Sequence, residues 1–170
     1  MIELNKQSND GKYNKFSKLN TLNDDYNLVV EFDIRSDNPS MPVQFSLKLS
    51  DGTNTGWSDN AGFSFGWGKL NNTVNPNNWY HMAVVFHKGT NQYSIYEDGN
   101  IIVDHDVLKI NGTEAVQKPV SLKTVNFKII NTKDQTASVC FDNIRYYEKY
   151  SDYDYDVSKS DIDSSVYECS

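Results

Sequence analysis

The sequence predicts an all-β protein, an antiparallel β-sandwich, and three observations lead to this class. Apolar and polar residues alternate with a period of two in many short segments, as expected for strands with one face on a core. Aromatic residues make up 13% of the 170 residues and asparagine occurs 20 times, a composition that favours strands and turns over helices. No long stretch carries the period of an amphipathic helix, so parallel βαβ folds are poor candidates.

The alternation is clearest in residues 27–35 and 43–49. In the first segment Val30, Phe32 and Ile34 form the apolar set, with charged residues between them. Such a pattern places one side of a strand against the core and points the other side away from it. The further predicted strands, in chain order, are 61–67, 79–86, 92–97, 100–104, 124–130 and 138–147.

Turn residues separate these segments. Asp98-Gly99 lies between two predicted strands and predicts a tight type I′ hairpin, since both central residues of that turn need a positive φ. Asp51-Gly52 and Asn111-Gly112 mark turns in the same way, and all four prolines lie between predicted strands. Short connections of this kind join antiparallel neighbours.

The formal net charge of -7 is unevenly distributed. The last twenty residues hold six acids and one lysine, so residues 1–150 carry about -2. A body this close to neutral lacks the basic surface that nucleic acids require, and no window approaches the roughly 18 apolar residues of a membrane span. We therefore expect no nucleic acid partner and no membrane insertion. We predict a sandwich over 1–150 and an acidic Ser/Asp/Tyr-rich linker or tail over 151–170, with a terminal strand as the alternative for the latter.

One acidic pair invites comparison with glycosidases. Glu31 and Asp33 alternate along a predicted strand and so share a face, and retaining glycosidases need two carboxyl groups about 5–5.5 Å apart. Laminarinase-type glycanases have a second glutamate shortly after such a pair, where this chain has Arg35 and Ser36. We therefore predict no catalysis and expect the pair on the solvent-facing side of its strand. His81 is expected to be a packing residue, since the histidines show no metal-ligand spacing.

The two cysteines leave two interpretations open. Cys140 and Cys169 would form a disulfide in an oxidising compartment, which would fasten the tail and add about 3 kcal/mol of stability. Otherwise Cys140 is a small buried apolar residue and Cys169 an unpaired thiol in the tail.

Three segments resemble known sandwiches. Residues 78–86 together with 93–99 resemble a hairpin of laminin G-like, pentraxin-like and other concanavalin A-like domains. Residues 141–147 resemble the closing strand of the same folds, and 26–36 the first long strand of jelly-roll carbohydrate-binding modules of bacterial glycanases. The resemblance implies a jelly roll of the concanavalin A-like lectin/glucanase type.

The resemblance also implies a structural calcium ion. In such jelly rolls an acidic residue of the last strand helps to hold calcium, and Asp142 occupies that position. Calcium takes six to eight oxygen ligands, and Asp24 and Asp25 are nominal partners, with Asp25 the preferred one. The alternative is an Asp142 that makes hydrogen bonds across a turn without an ion.

A sugar site is predicted in residues 52–69. Sugars present an apolar ring face and a rim of hydroxyls, which aromatic side chains and polar side chains recognise respectively. Trp57 follows a glycine at a predicted turn, and Trp67 lies between two glycines, although its shared parity with Phe63 and Phe65 leaves a core position as the alternative. The predicted carbohydrate-binding residues are Trp57, Trp67, Asp59, Asn60 and Lys69.

These observations predict a non-catalytic carbohydrate-binding module of a secreted or cell-surface bacterial protein. Its expected ligand is a neutral polysaccharide or oligosaccharide, with plant α- or β-glucan such as starch favoured. We expect a monomer within a larger multidomain protein. The alternatives are a laminin G-like adhesion or protein-interaction module and a degenerate or unrecognised glycoside hydrolase.

Overall fold

A computed structural model describes residues 2–6, 12–16, 22–38, 43–56, 62–67, 74–129 and 137–150. Within these ranges no helix is long and apolar enough to cross a membrane. The strands in this part of the chain are β1 (Ile2–Lys6), β2 (Lys12–Phe16), β3 (Asn27–Ser36), β4 (Val43–Ser50), β5 (Phe63–Trp67), β6 (Tyr80–Phe86), β7 (Gln92–Glu97), β8 (Asn100–Val107), β9 (Lys109–Ile110), β10 (Thr113–Glu114), β11 (Ser121–Ile129) and β12 (Ala137–Lys149).

The strands of the described residues form two main antiparallel sheets. The larger has six strands in the order β1-β12-β3-β6-β7-β8, and the smaller has four in the order β2-β11-β4-β5. A separate hairpin pairs β9 with β10. The predicted all-β antiparallel sandwich is therefore confirmed.

The core lies between the two sheets. Phe32 of the larger sheet stacks on Phe45 of the smaller one, with ring centroids 5.0 Å apart. Phe127 meets Phe32 edge-on at 4.9 Å and contacts Phe141 at 4.1 Å. Val30, Phe32 and Ile34 all belong to this core, which is the face that the alternation predicts.

The eight predicted strands are all present, with shifted ends. β8 extends three residues beyond its predicted end, to Val107, and β11 begins at Ser121. The predicted type I′ hairpin is confirmed by φ values of 46° at Asp98 and 80° at Gly99. Sequence reasoning did not predict β1, β2 or the β9–β10 hairpin. The tail 151–170 and Cys169 lie outside the described residues, while Cys140 is fully buried in β12.

Candidate functional site

The structure describes only part of the predicted sugar site. Trp57, Asp59, Asn60 and Lys69 lie outside the described residues. Trp67 ends β5, where its backbone pairs with Val43.

Gly56 and Gly62 flank the segment that contains Trp57. Gly56 is buried, and its N–H donates to the Leu49 carbonyl at 2.9 Å. Gly62 has a φ of 103°, and a Cβ at this position would lie 2.2 Å from the Leu47 carbonyl oxygen and 3.4 Å from the Gly56 oxygen. Only glycine fits there, because any other side chain would overlap the β4 backbone.

A cleft of about 500 Å³ opens beside Gly62 at one end of the sandwich. We call it the Tyr93 cleft. It brings together an aromatic ring, an exposed carboxylate and an exposed ammonium group from the consecutive strands β7, β8 and β9. It is lined by Gly62, Phe63, Tyr93, Asp106, Val107, Lys109 and Gly112.

Irregular pairing of β7 and β8 places Asp106 in this cleft. The ladder starts in regular register with Glu97 opposite Asn100, but it shifts on both sides of Ile95. As a result Tyr93 lies directly opposite Asp106. A β-bulge of this kind bends a strand and redirects its side chains.

The Tyr93 ring has a fixed position. It meets the buried Phe63 ring edge-on at 4.6 Å, and Phe63 in turn meets Phe86 at 5.3 Å. Burial, and then the negative charge of Asp106, raise the pKa of the Tyr93 hydroxyl above its ordinary value. The hydroxyl therefore stays protonated at neutral pH and can both donate and accept hydrogen bonds.

The β9–β10 hairpin, which carries Lys109, is tied to its surroundings by two asparagine side chains. Asn91 Nδ2 donates to the Ala115 carbonyl at 3.0 Å and to Glu114 Oε1 at 3.2 Å. Asn111 Nδ2 donates to the Thr55 carbonyl at 2.8 Å. These bonds hold the hairpin that carries Lys109 and Gly112 against Asn91 and against Thr55.

Asp51 organises that segment. Its Oδ1 accepts from the N–H groups of Thr53 at 2.9 Å and Asn54 at 2.6 Å, and its Oδ2 accepts from the Val116 N–H at 2.7 Å. Burial alone would raise the pKa of Asp51, but the backbone donors Asn54, Thr53 and Val116 lower it below its ordinary value. One carboxylate thus joins the loop after β4 to the loop after β10.

A second polar cluster lies on the outer face of the six-stranded sheet. Glu31, Asp33 and His81 are only 4%, 2% and 3% exposed, so the expectation of a solvent-facing carboxylate pair is wrong. His81 Nδ1 lies 2.6 Å from Asp33 Oδ1, and its Nε2 lies 3.7 Å from Glu31 Oε1. Burial alone would lower the pKa of His81, but the hydrogen bonds and charges of Asp33 and Glu31 raise it to about 9. His81 is buried as predicted, but as an imidazolium ion between two carboxylates.

The closing strand completes this cluster. Arg145 Nε donates to Glu31 Oε2, and Asn143 Nδ2 donates to Asp33 Oδ2 at 2.8 Å. A bulge between Asp142 and Arg145, with Asn143 at a φ of 48°, turns these side chains toward β3. Both carboxylates are consequently occupied by partners from β6 and β12.

The predicted calcium ligands are not brought together. Asp142 lies in β12, opposite Asp33 of β3. Its Oδ1 accepts a hydrogen bond from the Asn143 N–H at 2.8 Å. Asp25 precedes β3 and lines a different cleft. Among the described residues no group of three or more His, Cys, Asp or Glu is arranged to hold a metal ion. Asp25 and Asp142 thus lie at different places along the larger sheet, and calcium binding stays a prediction.

No protein-family model and no curated protein matches the chain. Its fold is similar to that of a solved structure of botulinum neurotoxin type C, whose cell entry depends on interaction with two ganglioside molecules, with 16% identity and a TM-score of 0.52 over 89% of this chain and 39% of that one. A mutant of HCR D/C is similar at 14% identity and a TM-score of 0.51, over 89% and 40%. The catalytic domain of a Coprinopsis cinerea glycoside hydrolase family 131 protein gives 12% identity and a TM-score of 0.36, over 76% and 58%.

The likenesses to the first two structures concern the fold alone. The chain spans about two fifths of the length of these two structures, and their sandwich architecture agrees with the two-sheet arrangement described above.

Proposed function

We propose that this chain is a non-catalytic carbohydrate-binding module that attaches a secreted or cell-surface bacterial protein to a neutral polysaccharide. Plant α- or β-glucan, such as starch, is the favoured ligand. The proposed fold type is a concanavalin A-like jelly roll, within a larger protein. The ganglioside dependence of the type C neurotoxin is compatible with glycan recognition on a sandwich of this kind.

The observation that carries the proposal is the composition of the Tyr93 cleft. A packed aromatic ring stands opposite an exposed carboxylate, and Lys109 supplies an exposed donor on the same cleft. A pyranose offers the complementary surface, since its C–H face stacks on an aromatic ring and its hydroxyls pair with carboxylate and ammonium groups. Because the ring and the hairpin are held in place by neighbouring contacts, binding loses little side-chain entropy.

Segment 52–69 supplies the further contacts that we propose. Gly56 and Gly62 flank the Trp57 segment, and Gly62 itself lines the cleft. Trp57, Asp59, Asn60, Trp67 and Lys69 remain the proposed contacts beyond those of the cleft.

We infer that the module is not an enzyme. A retaining glycosidase needs one carboxylate free to attack and one carboxyl group free to donate a proton. Glu31 and Asp33 are buried, and Arg145, His81 and Asn143 occupy their oxygens. This arrangement favours a structural role for the pair.

Affinity electrophoresis against a panel of soluble polysaccharides, with and without chelator, tests the proposal. We expect a neutral glucan to retard the protein, and Asp106→Ala to weaken retardation at least about tenfold through loss of a charged hydrogen-bond partner. Asp104→Ala is the matched control, because Asp104 lies two residues earlier on β8, is exposed and is absent from the cleft. Trp57→Ala and Trp67→Ala test the remaining contacts.

Three results would contradict the proposal. A folded protein that no glycan retards would rule out carbohydrate binding and leave an adhesion or protein-interaction module. Equal loss in Asp106→Ala and Asp104→Ala would dissociate binding from the Tyr93 cleft. Release of reducing sugar that Glu31→Gln abolishes would show a glycoside hydrolase.

A further inference from the structure

A second cleft, of about 460 Å³, lies at the same end of the six-stranded sheet. We call it the Tyr150 cleft, and it is lined by Asp24, Asp25, Lys88, Gly89 and Tyr150. These residues belong to the segment before β3, the turn after β6 and the end of β12. Since β12, β3 and β6 are adjacent antiparallel strands, these three chain segments meet at one end of the sheet.

Tyr150 is exposed and yet held in position. It is 66% exposed, its carbonyl accepts a hydrogen bond from Lys88 Nζ at 2.7 Å, and the same Nζ lies 4.4 Å from its ring centroid. The Tyr26 ring meets the Tyr150 ring edge-on at 5.6 Å. An aromatic ring that is fixed before binding offers a stacking surface at a low entropic cost.

The acidic side of the cleft is also ordered. The Asp25 N–H donates to Asn23 Oδ1 at 2.9 Å, and the Asn23 N–H donates to Glu148 Oε1 at 2.6 Å. These bonds fix the backbone that carries the exposed Asp24 and Asp25 side chains. The cleft therefore repeats the pattern of the Tyr93 cleft: a fixed aromatic ring, carboxylates and a lysine.

The two clefts flank the same turn. Lys88 and Gly89 of the β6–β7 turn line one cleft, and Tyr93, four residues after Gly89, lines the other. The strands that bear Tyr150 and Asp106, β12 and β8, are four positions apart in the sheet. At strand spacings of about 4.8 Å, Tyr150 and Asp106, which lie on the far sides of the two clefts, are roughly 19 Å apart. An oligosaccharide covers such a span and a disaccharide does not.

We propose that the Tyr150 cleft is a second sugar-binding subsite, and that one glycan chain occupies both clefts at this end of the six-stranded sheet. The inference rests on the proposed function. A module with two such clefts belongs to the class that binds within or along extended chains, because a single cleft would suffice for a chain end. Simultaneous occupation makes the second contact intramolecular and so raises the affinity for long chains.

The test is calorimetric titration with maltooligosaccharide and cello-oligosaccharide ladders from the disaccharide upward. For the wild-type protein we expect affinity to rise at least about tenfold once the chain spans both clefts. Tyr150→Ala should abolish that rise and leave disaccharide binding unchanged, whereas Tyr150→Phe should keep the rise because the ring remains. Val116→Ala is the matched control, since Val116 is also 66% exposed and lines neither cleft.

The outcomes separate the two proposals. Affinity that does not depend on chain length, or a rise that survives Tyr150→Ala in a protein with an unchanged melting temperature, overturns the second subsite and leaves the proposed function intact. No binding to any oligosaccharide of either ladder overturns both.

Discussion

At the scale of single residues, the clearest chemistry is the imidazolium of His81 between Asp33 and Glu31. A positive charge buried among apolar strands would be costly alone, but two carboxylates compensate it, and Arg145 and Asn143 satisfy their remaining oxygens. Tyr147 belongs to the same group, because burial and the charge and hydrogen bond of Glu31 raise the pKa of its hydroxyl. Removing His81 would leave two buried carboxylates without the cation they share.

His81 should make stability depend on pH above neutrality. Its pKa is about 9 in the folded protein against an ordinary value of 6.5, so the folded state holds the proton more tightly than the unfolded state. The resulting stabilisation is complete below pH 6.5 and is lost as the pH rises through 9. We expect the free energy of unfolding to fall by about 3 kcal/mol across this interval, measured by urea denaturation at stepped pH.

His81→Gln supplies the control for this dependence. The variant should be less stable at pH 6, since Glu31 and Asp33 lose their shared cation, and its stability should change little between pH 6.5 and 9. Parallel pH profiles for the wild-type protein and the variant would refute the assignment of the effect to His81.

At the scale of elements, Asp51 joins the loop after β4 to the loop after β10. Its carboxylate accepts from three backbone N–H groups and from Asn54 Nδ2. Asp51→Ala would remove a buried carboxylate and its four hydrogen bonds, and it should lower the free energy of unfolding by about 2 kcal/mol.

Urea denaturation of Asp51→Ala beside Asp104→Ala checks this expectation. The exposed Asp104 should change stability by less than about 0.5 kcal/mol. Equal stability of the two variants would show that Asp51 does not organise the loops.

The strands themselves were predictable, since period-two alternation and Asp98-Gly99 identify them without tertiary information. The positions of the cleft residues were not. Counting outward from the Asp98-Gly99 turn in regular register would place Tyr93 opposite Asp104, but the shifts beside Ile95 place it opposite Asp106. Bulges insert residues without a distinctive sequence signal. The polar segment 104–106, which follows an apolar run, was the one local indication of irregular pairing.

The ionised cluster escaped prediction for a related reason. Glu31 and Asp33 have the alternation of a half-exposed strand, and their burial depends on His81, which is about 50 positions away in sequence and paired with Asp33 across β3 and β6. The two shortest missed strands, β9 and β10, have two residues each, which is too short for any period to be read. The Asn111-Gly112 turn between them, with φ values of 57° and 76°, was the usable signal.

At the scale of the whole molecule, charge distribution and cleft position together predict how glycan binding responds to salt. The net charge is -7, most of it in the last twenty residues, so residues 1–150 carry about -2. Each cleft combines at least one carboxylate with a lysine. The surface around the clefts is therefore polar, but its electrostatic potential is not of a single sign. Such a surface pairs with hydroxyls through short-range hydrogen bonds and stacking, while it repels a polyanion.

We therefore expect affinity for a neutral glucan to change less than about twofold between about 0.1 M and 1 M NaCl, although the Debye length falls from about 10 Å to 3 Å over that range. Polygalacturonate and heparin should not retard the protein at the lower concentration. Calorimetry in the two buffers, with the polyanions as parallel ligands, measures both. Binding that weakens steeply with salt, or that prefers a polyanion, would mean that charge attraction and not the aromatic and hydroxyl complementarity of the two clefts selects the ligand.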